Sequence, residues 1–177
     1  QALKDEGLIR HLSLTNTDTV HLRMLVESGI EIASNQVSYS LLDQRASGAM
    51  TELCLEHGVH LLAFGTVAGG FFTERWLGAP EPAMDELETW SKMKYKRFIN
   101  AAGGWDKFQD LLKALERVAR RLEVSVANVA SRAILDAPSV AGVIIGARLG
   151  KREHIEDNLR LFDFELDRPA LDEIEHA

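Results

Sequence analysis

A parallel α/β fold follows from two features of this 177-residue chain. Four times, a short β-branched or apolar run is followed by a segment of helical period. The connections between the runs are too long for hairpins and suit right-handed crossovers between parallel strands. Both a closed (β/α)8 barrel and a doubly wound open sheet satisfy that alternation. The first strand lacks the G-x-G-x-x-G turn that marks dinucleotide binding in the open sheet, yet periodicity alone leaves the two architectures open.

The elements read in order as follows. Gln1 opens a polar, helical-looking stretch with no initiator Met and no signal-like apolar run, so the chain reads as an excerpt of a longer protein. Residues 9–14 form the first strand. Thr17-Asp18-Thr19 offers a helix cap, and Val20, Leu22, Leu25 and Val26 give an apolar stripe that ends at Gly29. Residues 31–38 are the second strand. A helix over 46–57 turns Met50, Leu53 and Cys54 inward and stops at Gly58. Residues 59–64 are the third strand, nearly all apolar, which predicts burial on both faces.

The stretch 65–104 breaks the rhythm with Gly69, Gly70, Gly78, Pro80, Pro82, Gly103 and Gly104 among aromatic residues. It reads as a long loop of functional kind. Within it, Trp90 and the run Lys92, Lys94, Lys96 and Arg97 suggest an amphipathic lid with a solvated basic face, and Phe71 and Trp76, with Trp90, suggest walls of an apolar pocket. Amphipathic helices follow over 106–122 and 125–137, the second capped by Ser125 and stopped by Pro138. Residues 140–145 are the fourth strand. Helices over 151–162 and 169–176 complete the chain, which reads as a single domain over 1–177.

Composition narrows the function. The net charge of −7 and the scattered basic residues argue against a nucleic-acid or anionic-membrane surface. One cysteine, Cys54, excludes an internal disulfide and a cysteine-based zinc site and fits a reducing, cytoplasmic setting. No apolar run approaches the roughly 20 residues of a membrane span. His57 and His60 have a spacing that could suit a metal, but no third ligand accompanies them, so polar residues of surface or core are the better reading.

In a βα barrel the loops at the carboxyl ends of the strands build the active site. Those ends carry Thr15 and Asn16, then Ser34, Asn35, Gln36 and Tyr39, then Phe64, Gly65, Thr66, Gly69 and Gly70, and finally Gly146, Ala147 and Arg148 with His154, Asp157 and Asn158 beyond. Side-chain amides, a flat aromatic ring, glycines that expose backbone and a guanidinium are what a dinucleotide requires. Residues 7–16, ending in Thr15-Asn16, resemble the aldo-keto reductase stretch that ends in Ser-Asn. Ser34-Asn35-Gln36-Val37-Ser38-Tyr39-Ser40-Leu41-Leu42 is similar to that family's Asn-Gln-x-x-Tyr-Ser-Leu segment. Leu61-Leu62-Ala63-Phe64-Gly65 with Gly69-Gly70, and Val143-Ile144-Ile145-Gly146-Ala147-Arg148 with Glu156-Asp157-Asn158-Leu159, resemble its phosphate-side loop and its carboxyl-end cofactor motif.

The resemblance spans the chain in the right order and implies the second half of a (β/α)8 TIM barrel, about four βα units plus a long loop and extra helices. A whole barrel takes about 250 residues. It implies an NADP-dependent oxidoreductase, NADPH preferred over NADH, that reduces aldehydes or ketones to alcohols. Thr15, Asn16 and Gln36 would hold the nicotinamide carboxamide, and Phe64 would stack on its ring. Gly65, Thr66 and the 67–70 loop, with Gly69 and Gly70, would line the pyrophosphate. Arg148 would face the 2′-phosphate, and His154, Asp157 and Asn158 the adenine end. Thr15 stands where Ser is usual, Phe64 where Tyr is common, and His154 where Gln or Arg is usual.

The family's catalytic Asp, Tyr, Lys and His fall on the preceding half of the barrel, and neither Tyr39 nor Tyr95 aligns with the proton-donating Tyr. The chain is thus expected to hold no catalytic residue and no metal, and to be inactive without the missing amino-terminal half that it partners. A small carbonyl compound is the expected substrate. The alternative is a non-catalytic, cofactor-sensing regulatory or interaction subunit on the same barrel. A freestanding half-barrel is a third possibility, and its unpaired edge strands would make it dimerise or aggregate.

Overall fold

The computed structural model describes residues 1–147, Gly150 and 154–177. Its four strands are β1 (Leu12–Thr15), β2 (Ile32–Ser38), β3 (His60–Phe64) and β4 (Val140–Ile144), all parallel, in the spatial order β1-β2-β3-β4. Spatial order follows sequence order, as successive right-handed crossovers produce. A doubly wound sheet reverses its strand order at the point where it binds ligands, and no such reversal occurs among these four strands.

Crossover helices cover one face of the sheet. Asp18 accepts a hydrogen bond from the His21 N–H at 3.0 Å and starts α2 (Thr19–Glu27), after a short first helix, α1 (Ala2–Asp5). The third helix, α3 (Ala49–His57), ends at Gly58, whose φ of 66° suits a residue without a Cβ. Leu22, Met50, Leu53 and Cys54 from these helices bury against Val37, Leu61 and Ala63 of the sheet. The first strand starts at Leu12, later than predicted, because the chain turns at Gly7 and returns the Leu8 and Ile9 N–H groups to the Leu3 carbonyl. Helix α3 starts later too, because the turn bridged by Ser40 and Asp43 runs on into a second, closed by the Ser47 N–H on the Gln44 carbonyl, that occupies the residues before it.

A second core lies beyond β3. The stretch predicted as a loop folds into short 3-10 turns and a 12-residue helix, α4 (Trp90–Ala101), capped by Thr89. Helices α5 (Trp105–Leu122), α6 (Val126–Leu135) and α8 (Arg168–Glu175) pack there, with α6 capped by Ser125 as expected. Phe108, Leu112, Leu115 and Val118 recur at helical spacing along α5 and are buried. Phe71 and Trp76 join Trp105 and Phe108 in one aromatic cluster. They therefore serve as core and not as pocket walls: Phe71 is fully buried, and the Trp76 indole N–H donates to the Gly70 carbonyl at 3.0 Å. Trp90 stays exposed.

The basic run differs from its expected solvated face. Lys96 is only 2% exposed and donates to Glu81 at 2.6 Å and to Asn100, tying α4 to the segment before it. Its charge is a buried strap that periodicity could not distinguish from its neighbours. The predicted helix over 151–162 begins outside the described residues. What is described is α7 (Ile155–Leu159) and a 3-10 turn through Phe162. Among the described residues no helix is long and apolar enough to cross a membrane, and no His, Cys, Asp and Glu cluster of metal-binding kind occurs.

Candidate functional site

Strand alternation sends every second side chain to the face that the crossover helices leave uncovered. Register pairs Ser13 with Ser34 and that residue with His60. The next row pairs Thr15 with Gln36, Gln36 with Leu62 and Leu62 with Gly142. The last row pairs Ser38 with Phe64 and Phe64 with Ile144. This face is polar along β1 and at Ser34, Gln36 and Ser38 of β2, and apolar beyond His60 at Leu62 and Phe64 of β3 and Ile144 of β4. The third strand was expected to be buried on both faces; here Leu61 and Ala63 are fully buried while Leu62 and Phe64 are half-buried. Among the described residues nothing accepts from or donates to the Gln36 amide, the Thr15 hydroxyl or the Asn16 amide.

Asn16 follows β1 in a left-handed conformation, φ 53°, with its N–H donating to the Gln36 carbonyl at 2.8 Å. That bond extends the β1–β2 ladder and fixes Asn16 beside Gln36. Asn35 points the opposite way from Gln36 and is fully buried. Its Nδ2 donates to the Thr17 carbonyl at 2.8 Å, and its Oδ1 accepts from the Thr17 N–H at 3.4 Å. Asn35 thereby pins the loop that carries Asn16. It positions the site without facing it, a role its place in the Ser34-Asn35-Gln36 motif did not disclose.

After Phe64 the chain turns through Gly65, then Ala68, Gly69 and Gly70, all at positive φ. Ala68 at φ 48° holds a conformation that costs a side-chain-bearing residue energy. Helix α4 presses against this turn. A Cβ on Gly65 would lie 2.6 Å from the Tyr95 hydroxyl, and one on Gly69 would lie 2.7 Å from the Tyr95 ring and 2.9 Å from Ser91 Oγ. These two glycines let the helix approach, whereas Gly70 faces open space. Thr66 is fully buried, with its hydroxyl 3.1 Å from Ser131 Oγ on α6. Neither its hydroxyl nor its backbone is exposed to a ligand in this chain.

Charge gathers beside Phe64. The Lys94 ammonium lies 5.0 Å from the centre of the Phe64 ring, 4.9 Å from that of Tyr95 and 5.6 Å from that of Phe98. Arg45 grips Asp43 through two bonds of 2.7 Å. Burial works to raise the Asp43 carboxyl, but the Arg45 guanidinium overcomes it and holds the group below its ordinary value. Burial pushes the phenols of Tyr39 and Tyr95 upward, and Asp43 adds to the effect on Tyr95. Neither phenol is tuned as a proton donor, which needs a lowered pKa.

At the far end of the sheet, Arg148 lies outside the described residues. His154 is exposed at the start of α7. The Asp157 carboxylate accepts from Ser125 Oγ at 2.9 Å and from Asn128 Nδ2 at 3.2 Å, which docks α7 on the start of α6. Asn158 is half-buried, with no side-chain hydrogen bond among the described residues. The donor set at the sheet's carboxyl ends fits a nicotinamide dinucleotide: amides unpartnered among the described residues for a carboxamide, a half-buried ring for stacking and a glycine turn for phosphates.

The comparisons with known proteins show the family and the fold. The aldo/keto reductase family model matches residues 1–177, and the chain belongs to this family of oxidoreductases. It is 28% identical over 160 residues to the oxidoreductase YqkF of Bacillus subtilis, covering 90% of this chain and 47% of that protein. It is 29% identical over 131 residues to flagellar radial spoke protein 5 of Chlamydomonas reinhardtii, covering 73% of this chain and 25% of that protein. The glycerol dehydrogenase of Gluconobacter oxydans shares the fold, with a TM-score of 0.77 at 19% identity over 99% of this chain and 51% of that one. The chain thus spans about half the length of YqkF and of the glycerol dehydrogenase.

Proposed function

We propose that this chain is the carboxyl-terminal half of a (β/α)8 barrel and that the carboxyl ends of its strands hold NADP(H). The whole protein then reduces a small aldehyde or ketone to the alcohol. The observation that carries this reading is the pairing of Thr15 with Gln36 on the uncovered face, with the amides of Asn16 and Gln36 unpartnered among the described residues and Phe64 leading into the glycine turn on the same face. On this reading Thr15, Asn16 and Gln36 orient the carboxamide, and Phe64 offers its ring to the nicotinamide. The backbone of 65–70, Thr66 excepted, receives the pyrophosphate. Arg148 meets the 2′-phosphate, and His154 and Asn158 the adenine end. Asp157, engaged with Ser125 and Asn128, contributes there by fixing α7.

Bound NADPH supplies the hydride for the carbonyl carbon. On this reading the proton for the carbonyl oxygen comes from the family's catalytic Tyr, with which neither Tyr39 nor Tyr95 aligns. The missing half of the barrel supplies the acid and covers Leu62, Phe64 and Ile144, the last 42% exposed here. An acidic chain of this kind, with a single buried thiol, suits the cytoplasm and neither nucleic acid nor membrane.

The test is consumption of reduced nicotinamide by the whole protein with a panel of small aldehydes and ketones. Turnover supports the assignment, and its absence across the panel opposes it. Arg148→Ala should weaken NADPH far more than NADH; equal loss for both would remove the 2′-phosphate role.

A further inference from the structure

We infer that Lys94 is a mobile anion grip of this site, whose ammonium binds the diphosphate of the dinucleotide. The inference rests on the proposed cofactor site and adds a residue from α4, outside the strand ends and their loops.

Three observations converge on it. First, Lys94 lacks the carboxylate partner that three neighbouring cations have and, unlike Arg97, which also has none among the described residues, it rests on aromatic rings. Lys92 lies 3.8 Å from Glu88, Lys96 2.6 Å from Glu81 and Arg45 2.7 Å from Asp43. Among the described residues no carboxylate pairs with Lys94, which rests on the Phe64, Tyr95 and Phe98 rings. An exposed cation–π contact is a weak hold that an approaching anion can outcompete. Second, the helix beneath it is fixed. Tyr95 and Ser91 fit against Gly65 and Gly69 so closely that neither glycine has room for a Cβ. The root of Lys94 is thereby anchored next to the glycine turn. Third, Phe64 is both a resting place of the ammonium and the residue that leads into that turn, so a flexible four-carbon stem can carry the charge from ring to phosphate. A carboxylate on the substrate is the other possible anion. The contact of α4 with the 65–70 turn favours the diphosphate.

The experiment titrates the whole protein with NADPH and with NADH at low and high salt, comparing wild type with Lys94→Gln and Lys94→Arg. Lys94 is exposed, so thermal midpoints serve as a check that both variants fold. The expected result is a loss of about tenfold in affinity for both dinucleotides in Lys94→Gln, with a shallower salt dependence. Lys94→Arg should retain most of the affinity. Equal loss for NADPH and NADH separates this role from one directed at the 2′-phosphate. Unchanged dinucleotide affinity in Lys94→Gln overturns the inference, as does a defect confined to the KM of carboxylate-bearing aldehydes. Wild type that binds neither dinucleotide overturns the cofactor reading as well, so the two failures are distinguishable.

Discussion

Asn35 and Gln36 are neighbours in sequence and face opposite sides of β2, and that division of labour sets what each substitution should do. Asn35→Ala removes both partners of the half-buried Thr17 N–H and carbonyl and empties a fully buried site, so it should cost about 1–2 kcal/mol in a urea melt. The Asp43–Arg45 ion pair gives a pH signature. Asp43 is held below its ordinary pKa, so its contribution is present above the unfolded value of about 4 and fades as pH falls through the folded one. Wild type should therefore lose more stability than Asp43→Asn between pH 7 and about pH 3 in chemical denaturation. Cys54 is fully buried, and burial raises its thiol to about 11. A maleimide should leave it unmodified in native protein at mildly alkaline pH and modify it in denaturant. Fast labelling of the native state would contradict that burial. At this scale Thr15, Asn16 and Gln36 were legible because they sit at strand ends in a recognisable order. Lys94 and Lys96 were not, because their partners Phe64 and Glu81 are remote in sequence and are met only when α4 docks.

Helix α4 is the element whose placement the sequence concealed. Its glycine- and proline-rich approach reads as a loop, and its lysines read as a solvated face. Docking is decided instead by the fit of Tyr95 into the space left by Gly65 and Gly69. Gly69→Ala combines a Cβ clash with an unfavourable φ of 62° and should destabilise by roughly 2–3 kcal/mol, read as a shifted urea midpoint. Tyr95→Ala should recover part of that loss in the double variant, a coupling expected only if the two residues touch. Lys96→Ala should cost about 2 kcal/mol by leaving Glu81 and Asn100 without their donor, and Lys96→Met should cost less because it keeps the packing. The other helices were legible in kind, because capping residues and stop glycines act locally. Their ends moved wherever a turn absorbed residues, as at Gly7 and at Ser40.

The molecule as a whole presents a sheet with one face packed and the other bearing both polar and apolar side chains. Parallel pairing was legible because crossovers of this length permit little else, but the sequential order followed only from the family resemblance, since a doubly wound sheet has the same alternation. Which face of β3 would be covered was not legible, since an apolar run fits burial on either side. Residues 1–177 produced alone should self-associate through Leu62, Phe64 and Ile144 and elute larger than a monomer. A stable monomer would argue against the half-barrel. The central claim concerns what the carboxyl ends of the strands bind, and direct titration of the whole protein with NADPH, followed by tryptophan fluorescence, tests it. The account predicts a saturable change that Gln36→Ala weakens about tenfold through the lost carboxamide contacts. No saturable change, or one that Gln36→Ala leaves untouched, would contradict it.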